Sequence, residues 1–136
     1  VSTLKETRGD LVYGFAVPGQ ATAGTADEWA GFVCPHNAEI TAVKWIPAAA
    51  VTANGTNYAV LSLRNRGTDG TGDNLVASRS YIATNSVAFK ADTATLSATA
   101  EDRLVAAGEV LTFEKVNTGT GLAIPDGYVQ VHLRWR

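Results

Sequence analysis

The chain carries one cysteine, Cys34, no methionine, and two histidines, His36 and His132, among 136 residues. A lone cysteine excludes an intramolecular disulfide, and with it the disulfide-stapled secreted mini-domain. A zinc site asks for about four ligands, which these three side chains cannot supply without recruiting carboxylates. No metal and no cofactor are therefore expected, and Cys34 reads as a small buried hydrophobe. Charge is scarce too, at 18% of residues, and eleven basic against thirteen acidic side chains give a formal net charge of −2. That leaves no electrostatic footprint for nucleic acid or an anionic membrane. The longest apolar stretch, residues 45–51, falls far short of the ~20 residues a membrane-spanning helix needs. The opening VSTLKETRGD is polar, unlike a signal-peptide core, and Val1 is the kind of small residue left when an initiator methionine is trimmed. A mature product of the cytoplasm is the expectation.

What the chain does have is punctuation. Thirteen glycines, four prolines and many Thr, Asn and Asp residues divide a 46% hydrophobic sequence into short apolar runs, the signature of an all-β protein. Residues 128–135 alternate most clearly, with Val129, Val131, Leu133 and Trp135 set against Tyr128, Gln130, His132 and Arg134, so the first set faces a core. Residues 110–116 and 58–64 alternate in the same way. Further strands are expected at 11–17, 29–33, 39–46, 75–82 and 93–98, and one helical turn fits within 98–105. Gly108, between Ala107 and Glu109, marks a turn that calls for positive φ. About eight strands without a longer repeat predict a jelly-roll-like, two-sheet antiparallel β-sandwich. Residues 39–136 form that domain. Residues 1–38 are expected to be an extended N-terminal arm with room for edge strands, because 18–26 (PGQATAGTA) has too little apolar surface to anchor a core strand.

Chemistry is harder to find. There is no G-x-S-x-G nucleophile elbow. The neighbours Asp27 and Glu28, like Glu101 and Asp102, point to opposite faces of extended chain and do not set two carboxyls across one bond. The loop 66–74 (RGTDGTGDN) lacks the G-K-[ST] ending of a phosphate loop, and Asp69 and Asp73 lack the spacing of a calcium loop. Asn54-Gly55 reads as a turn. Trp29, Tyr58, Tyr81 and Tyr128 are of the kind that stacks on sugar rings, and equally of the kind that packs sheets. The ending Arg134, Trp135, Arg136 offers forked guanidinium contacts to a partner's carboxylates.

Four stretches carry a resemblance: 40–50 (ITAVKWIPAAA), 57–72 (NYAVLSLRNRGTDGTG), 104–111 (LVAAGEVL) and 118–131 (TGTGLAIPDGYVQV). Their features are a strand running into Pro and small residues, an N-R-G-x-D-G-x-G loop, an A-G-[DE]-x-L strand start, and a G-T-G loop before a terminal V-x-V strand. Together they resemble the small β-sandwich proteins of tailed bacteriophages that decorate or cement the head. The resemblance covers roughly residues 39–133 and brings no catalytic residue. It implies a non-enzymatic structural protein of the virion, bound to the major capsid protein on the capsid exterior, made in the host bacterial cytoplasm, and self-associating as a homotrimer. The expected contact residues are Trp29, Arg66, Asp69, Asp73, Asn117, Arg134 and Arg136. Two other readings stay open: a carbohydrate-binding or receptor-binding domain of a phage fibre or tail, marked by exposed coplanar aromatic rings, and a sandwich-fold enzyme with His36 or His132 in a pocket beside a carboxylate.

Overall fold

A computed structural model describes residues 10–136. Ten strands follow in order: β1 (Leu11–Val17), β2 (Asp27–Val33), β3 (Ala38–Pro47), β4 (Tyr58–Asn65), β5 (Asn74–Ser80), β6 (Asp92–Thr93), β7 (Thr95–Leu96), β8 (Leu104–Val105), β9 (Val110–Thr118) and β10 (Gly127–Trp135). They form two five-stranded antiparallel sheets. The first runs β1-β10-β3-β6, with β8 also paired to β3, and the second runs β2-β9-β4-β5-β7. The pairing is nested: β1 with β10, β2 with β9, β3 with β6 and β8, and β4 with β5. This nesting is jelly-roll topology, the fold class expected from the alternation of the strands. Strands β1 to β4 alternate between the two sheets, as do β9 and β10, so the connections between them cross an end of the sandwich, while β4 and β5 form a hairpin within the second sheet.

All eight expected strands are present, with two adjustments. The run at 93–98 is split in two, because the chain passes from β3 of the first sheet to β5 of the second on either side of buried Ala94. The helical turn is a single 3₁₀ turn at Ala100–Arg103, between extended Thr99 and Leu104. Three register shifts also interrupt simple alternation, at Thr41, Gly31 and Val76. Each lets two side chains that strict alternation would set on opposite faces point inward, as with Ile40 and Val43 around Thr41. At Gly31 only hydrogen fits, since a Cβ there would lie 2.5 Å from the Leu111 carbonyl oxygen.

Between the sheets the core is built on Trp45, Phe113 and Tyr81 with Ile40, Leu61, Leu63, Leu111, Val129, Val131 and Leu133, all fully buried. Trp45 and Phe113 meet at 5.5 Å between ring centroids. Cys34 is buried in the same core. Of the segment expected as an arm, residues 1–9 lie outside the described residues. Leu11–Val17 and Asp27–Val33 each form one edge strand of a sheet, β1 of the first and β2 of the second. The connection between them is fastened by Lys115, a fully buried β9 lysine whose Nζ donates to the carbonyls of Thr22 (3.2 Å), Ala23 (3.0 Å) and Thr25 (2.9 Å). These bonds occupy all three ammonium protons. Residues 18–26 are thus tied to their own sandwich, and the strands on either side of them belong to it.

Two predictions arise here. Gly108 has φ +89° and donates its N–H to the Cys34 carbonyl at 2.8 Å. A Cβ there would meet only Thr68 Cγ2 at 3.7 Å, so the conformation and not space decides the outcome. Gly108→Val is expected to cost about 1–2 kcal/mol in urea unfolding, because a β-branched residue is forced into the left-handed region. Burial pulls the Lys115 ammonium below the usual lysine range. Lys115→Met keeps the volume and abandons three carbonyls, and is expected to lower stability by about 2 kcal/mol. It should also speed amide exchange in residues 18–26, and exchange at the wild-type rate would show that Lys115 does not hold this segment.

Candidate functional site

At one end of the sandwich four connections lie side by side: residues 18–26, 119–126, 48–57 and 81–91. Each is bonded to the next. Gln20 and Ile124 exchange backbone hydrogen bonds at 2.8 and 2.9 Å. Ala48 N–H donates to the Asp126 carbonyl at 2.8 Å, and Thr120 N–H to Asn57 Oδ1 at 2.9 Å. Val51 and Ser86 pair through their backbones, Asn54 N–H donates to the Tyr81 carbonyl, and Ala53 N–H donates to Asn85 Oδ1 at 2.8 Å. Four segments far apart in sequence thus make one platform.

That platform is nearly free of charge: Lys90 and Asp126 are its only two charged side chains. Its exposed apolar groups gather on the 81–91 loop, where Phe89 is 77% exposed, Val87 58% and Ile82 46%. Phe89 is also the one described residue other than glycine with positive φ, at +61°. A bulky residue in the left-handed region is a backbone outlier, and such strain persists only where the surroundings enforce it. Beside this loop, Pro18, Ala21, Ala50, Ala123 and Pro125 surround a shallow depression of about 460 Å³ floored by buried Ile124.

The enforcement comes from beneath. Arg79 of β5 is buried, and its Nη2 donates to the carbonyls of Thr84 (3.0 Å) and Asn85 (3.3 Å) and to Ser86 Oγ (3.1 Å). Its Nη1 donates to the Ser80 carbonyl, its Nε to Asp92 Oδ2 at 3.4 Å, and its guanidinium lies 4.0 Å over the Tyr81 ring. Trp45 Nε1 donates to Tyr81 Oη at 3.0 Å, and Tyr81 Oη sits 2.6 Å from Ser86 Oγ. Ser86 Oγ in turn bonds Asp92 Oδ2. Because the carboxylate only accepts, the protons run in one direction, from Trp45 to Tyr81 to Ser86 to Asp92. Burial pushes the Tyr81 phenol up, which keeps it a donor. Phe89 N–H completes the anchoring with a 2.8 Å bond to the Pro47 carbonyl.

Charge gathers toward the opposite end and along the outer face of the second sheet, and most of the residues singled out from the sequence lie there. Arg66 binds both carboxylate oxygens of Glu28, at 2.7 and 2.6 Å, and reaches Asp73 at 2.9 Å and Glu114 at 3.2 Å. Arg64 adds a 3.2 Å contact to Glu114, and Thr112 Oγ1 donates to Glu28 at 2.6 Å. Asp69 accepts from the Thr71 amide and hydroxyl, which hold its carboxyl below the usual range and shape the 66–73 loop from within. Arg134 is exposed and 3.7 Å from Asp10, and Arg136 Nε donates to the Ala38 carbonyl at 3.2 Å. Trp29 is half-buried, its ring 6.4 Å from that of Phe113. Asn117 alone lies by the platform, its Oδ1 buried without a partner and close to Gly121. The structure therefore does not bring these seven residues into one site.

The Arg66 hydrogen bond holds the Glu28 carboxyl below its usual range. Its contribution to stability is fully present above the ordinary carboxylate value and is lost as pH falls through the depressed native one. Glu28→Gln is therefore expected to narrow the gap to wild type in acid. A constant gap between pH 7 and pH 2 would contradict the pairing.

Other sequence candidates are dispersed. His36 is exposed with its ring edge against Trp135 at 4.8 Å, and His132 is half-buried on the outer face of the first sheet. Among the described residues neither histidine side chain bonds a carboxylate, and no group of three or more His, Cys, Asp or Glu is placed to hold a metal ion. The Cys34 thiol donates to the His36 carbonyl at 3.0 Å, and burial pushes its pKa up, away from the thiolate. No helix among the described residues is long and apolar enough to cross a membrane. No protein-family model matches the chain, and no curated protein matches it.

Proposed function

We propose that this chain is a structural virion protein of the decoration or cement type, which docks on the outer surface of a tailed-phage capsid through its uncharged loop platform. The observation that carries the reading is Phe89, an exposed aromatic on strained backbone, set in the charge-poor end of a molecule whose ion pairs gather on the outer face of the second sheet and toward its other end. Large apolar groups held out to solvent are characteristic of protein-binding surfaces, and aromatic residues anchor them. Jelly rolls serve viral capsids and lectins alike, so the fold alone does not choose between them. The aromatic side chains favour the capsid. Trp45 is fully buried, Trp29 and Trp135 pack against the core, and Tyr128 lies across Gly14 on a sheet face, which leaves no described pair of tryptophans as a sugar platform.

A protein that binds the assembled shell and not its separated subunits stabilises the shell by mass action, with no catalytic step required. The test is co-sedimentation of the purified chain with phage heads that lack it, run beside a glycan array. Stoichiometric binding to heads with a silent array is the expected result. A discrete glycan hit without head binding would overturn the reading in favour of a receptor-binding tail or fibre domain.

A further inference from the structure

The two sheets have edges at β1, β2, β6 and β7, with β8 a further short strand at the margin of the first sheet. Natural sandwiches protect such edges with charge, proline, bulges or short length. Strands β6, β7 and β8 are two residues each. The β2 edge carries Asp27 and Glu28 and a register shift at Gly31. The β1 edge has none of these devices. Its seven residues, LVYGFAV, include no charge and no proline, and they pair with β10 without a register shift. Among the described residues β1 is paired on one side only, and none of them takes up the other row of its backbone donors and acceptors.

The order of residues in β1 indicates what completes it. Around Gly14 the strand is a near palindrome: Tyr13 is matched by Phe15, Val12 by Ala16, and Leu11 by Val17. We infer that β1 is a self-recognition edge, at which two copies of this chain join β1 to β1, antiparallel, about a two-fold axis through Gly14. Such a pairing sets Tyr13 opposite the second copy's Phe15 twice, on the inner face where both rings already pack against Phe32. Cross-strand aromatic pairs of this kind stabilise sheets. On the outer face it sets exposed Val12 opposite exposed Ala16, apolar against small. It also brings together over the axis the two Tyr128 rings, each lying across its own Gly14. The interface is isologous, so it closes at two copies and does not propagate into a fibre. This two-fold assembly differs from the homotrimer that the resemblance implies, and it stands independently of what the loop platform binds.

A seven-residue edge pair buries less than a standard interface of about 1,600 Å², so a dimer in the micromolar range is expected. The test is sedimentation velocity of the full chain over a concentration series, with two double variants at exposed outer positions. In Val12→Glu with Ala16→Glu, two carboxylates face each other at two places across the axis, and dimerisation is expected to weaken at least ~100-fold, given what opposed like charges cost at an interface. In Val12→Glu with Ala16→Lys, the same register sets opposite charges together, and the dimer is expected to return. Both variants should melt with the wild type when compared as monomers. A wild type that stays monomeric to about 1 mM, where even a very weak complex is half formed, would overturn the proposal. So would a trimer, or a dimer indifferent to the paired carboxylates.

Discussion

Arg79→Met is expected to lower the stability of the protein by about 3–4 kcal/mol, the range seen when one partner of a buried ion pair is removed. The variant replaces a buried guanidinium with an apolar side chain that reaches only about as far as the arginine Nε. It leaves Asp92, only 16% exposed in its side chain, without its counter-ion, and it frees the carbonyls of Ser80, Thr84 and Asn85. For a chain of this length the loss corresponds to a fall of roughly 10 °C in melting temperature. Arg79→Lys should fall between, because an ammonium preserves the charge and loses the planar fork that reaches several acceptors at once. The damage should be greatest in residues 81–91, read as faster amide exchange there than in β9 or β10. Urea midpoints of wild type and Arg79→Met that coincide would show that the network does not hold this loop.

The second large effect concerns Phe89. Phe89→Asp is expected to weaken binding to phage heads by about 30-fold or more, the size of effect typical of a central aromatic anchor. Its folding stability should stay close to wild type, since the ring is exposed. Phe89→Gly separates the two roles more sharply. Glycine relieves a left-handed conformation that disfavours other residues by about 1–2 kcal/mol. It adds back up to about 1 kcal/mol of unfolded-state entropy, so stability should hold or rise slightly. Docking should nevertheless fail. A variant at least as stable as wild type but unable to bind would identify Phe89 as a residue kept for its partner at the expense of its backbone. Binding of Phe89→Gly at wild-type strength would remove Phe89 from the docking surface.

Most of the fold is legible in the sequence because most of its strands are half-buried and alternate. The long strands β4, β9 and β10 keep an unbroken period of two and stand out for that reason. Three register shifts are not legible, since an extra residue at Thr41, Gly31 or Val76 erases the alternation that would reveal it. The crossing of residues 92–96 between sheets is invisible for a related reason: two strands of two residues have no period.

The candidate site is much less legible. Arg66, Asp69 and Asp73 attract attention because charge is easy to see along a chain, but they bond chiefly within the molecule. The platform is defined by a lack of charge shared among four loops, each of which alone is an ordinary turn. Two of its supports do leave a trace. Lys115 has the parity of Leu111 and Phe113, and Arg79 that of Ala77, so each is a cation on the inward face of a strand. A cation in that position must find acceptors, and both find them in the backbone of the platform loops. Phe89 leaves no such trace, because its positive φ follows from the bonds around it and not from its neighbours in sequence.

The central claim is that the uncharged end, and not the charged one, faces the shell. Hydrogen–deuterium exchange of the chain free and bound to phage heads tests this most directly. The account predicts new protection in residues 48–57 and 81–91 on binding, with residues 66–73 and 100–109 exchanging as they do in the free protein. Protection confined to residues 66–73 and the C-terminal arginines would contradict it and return the contact to the charged end.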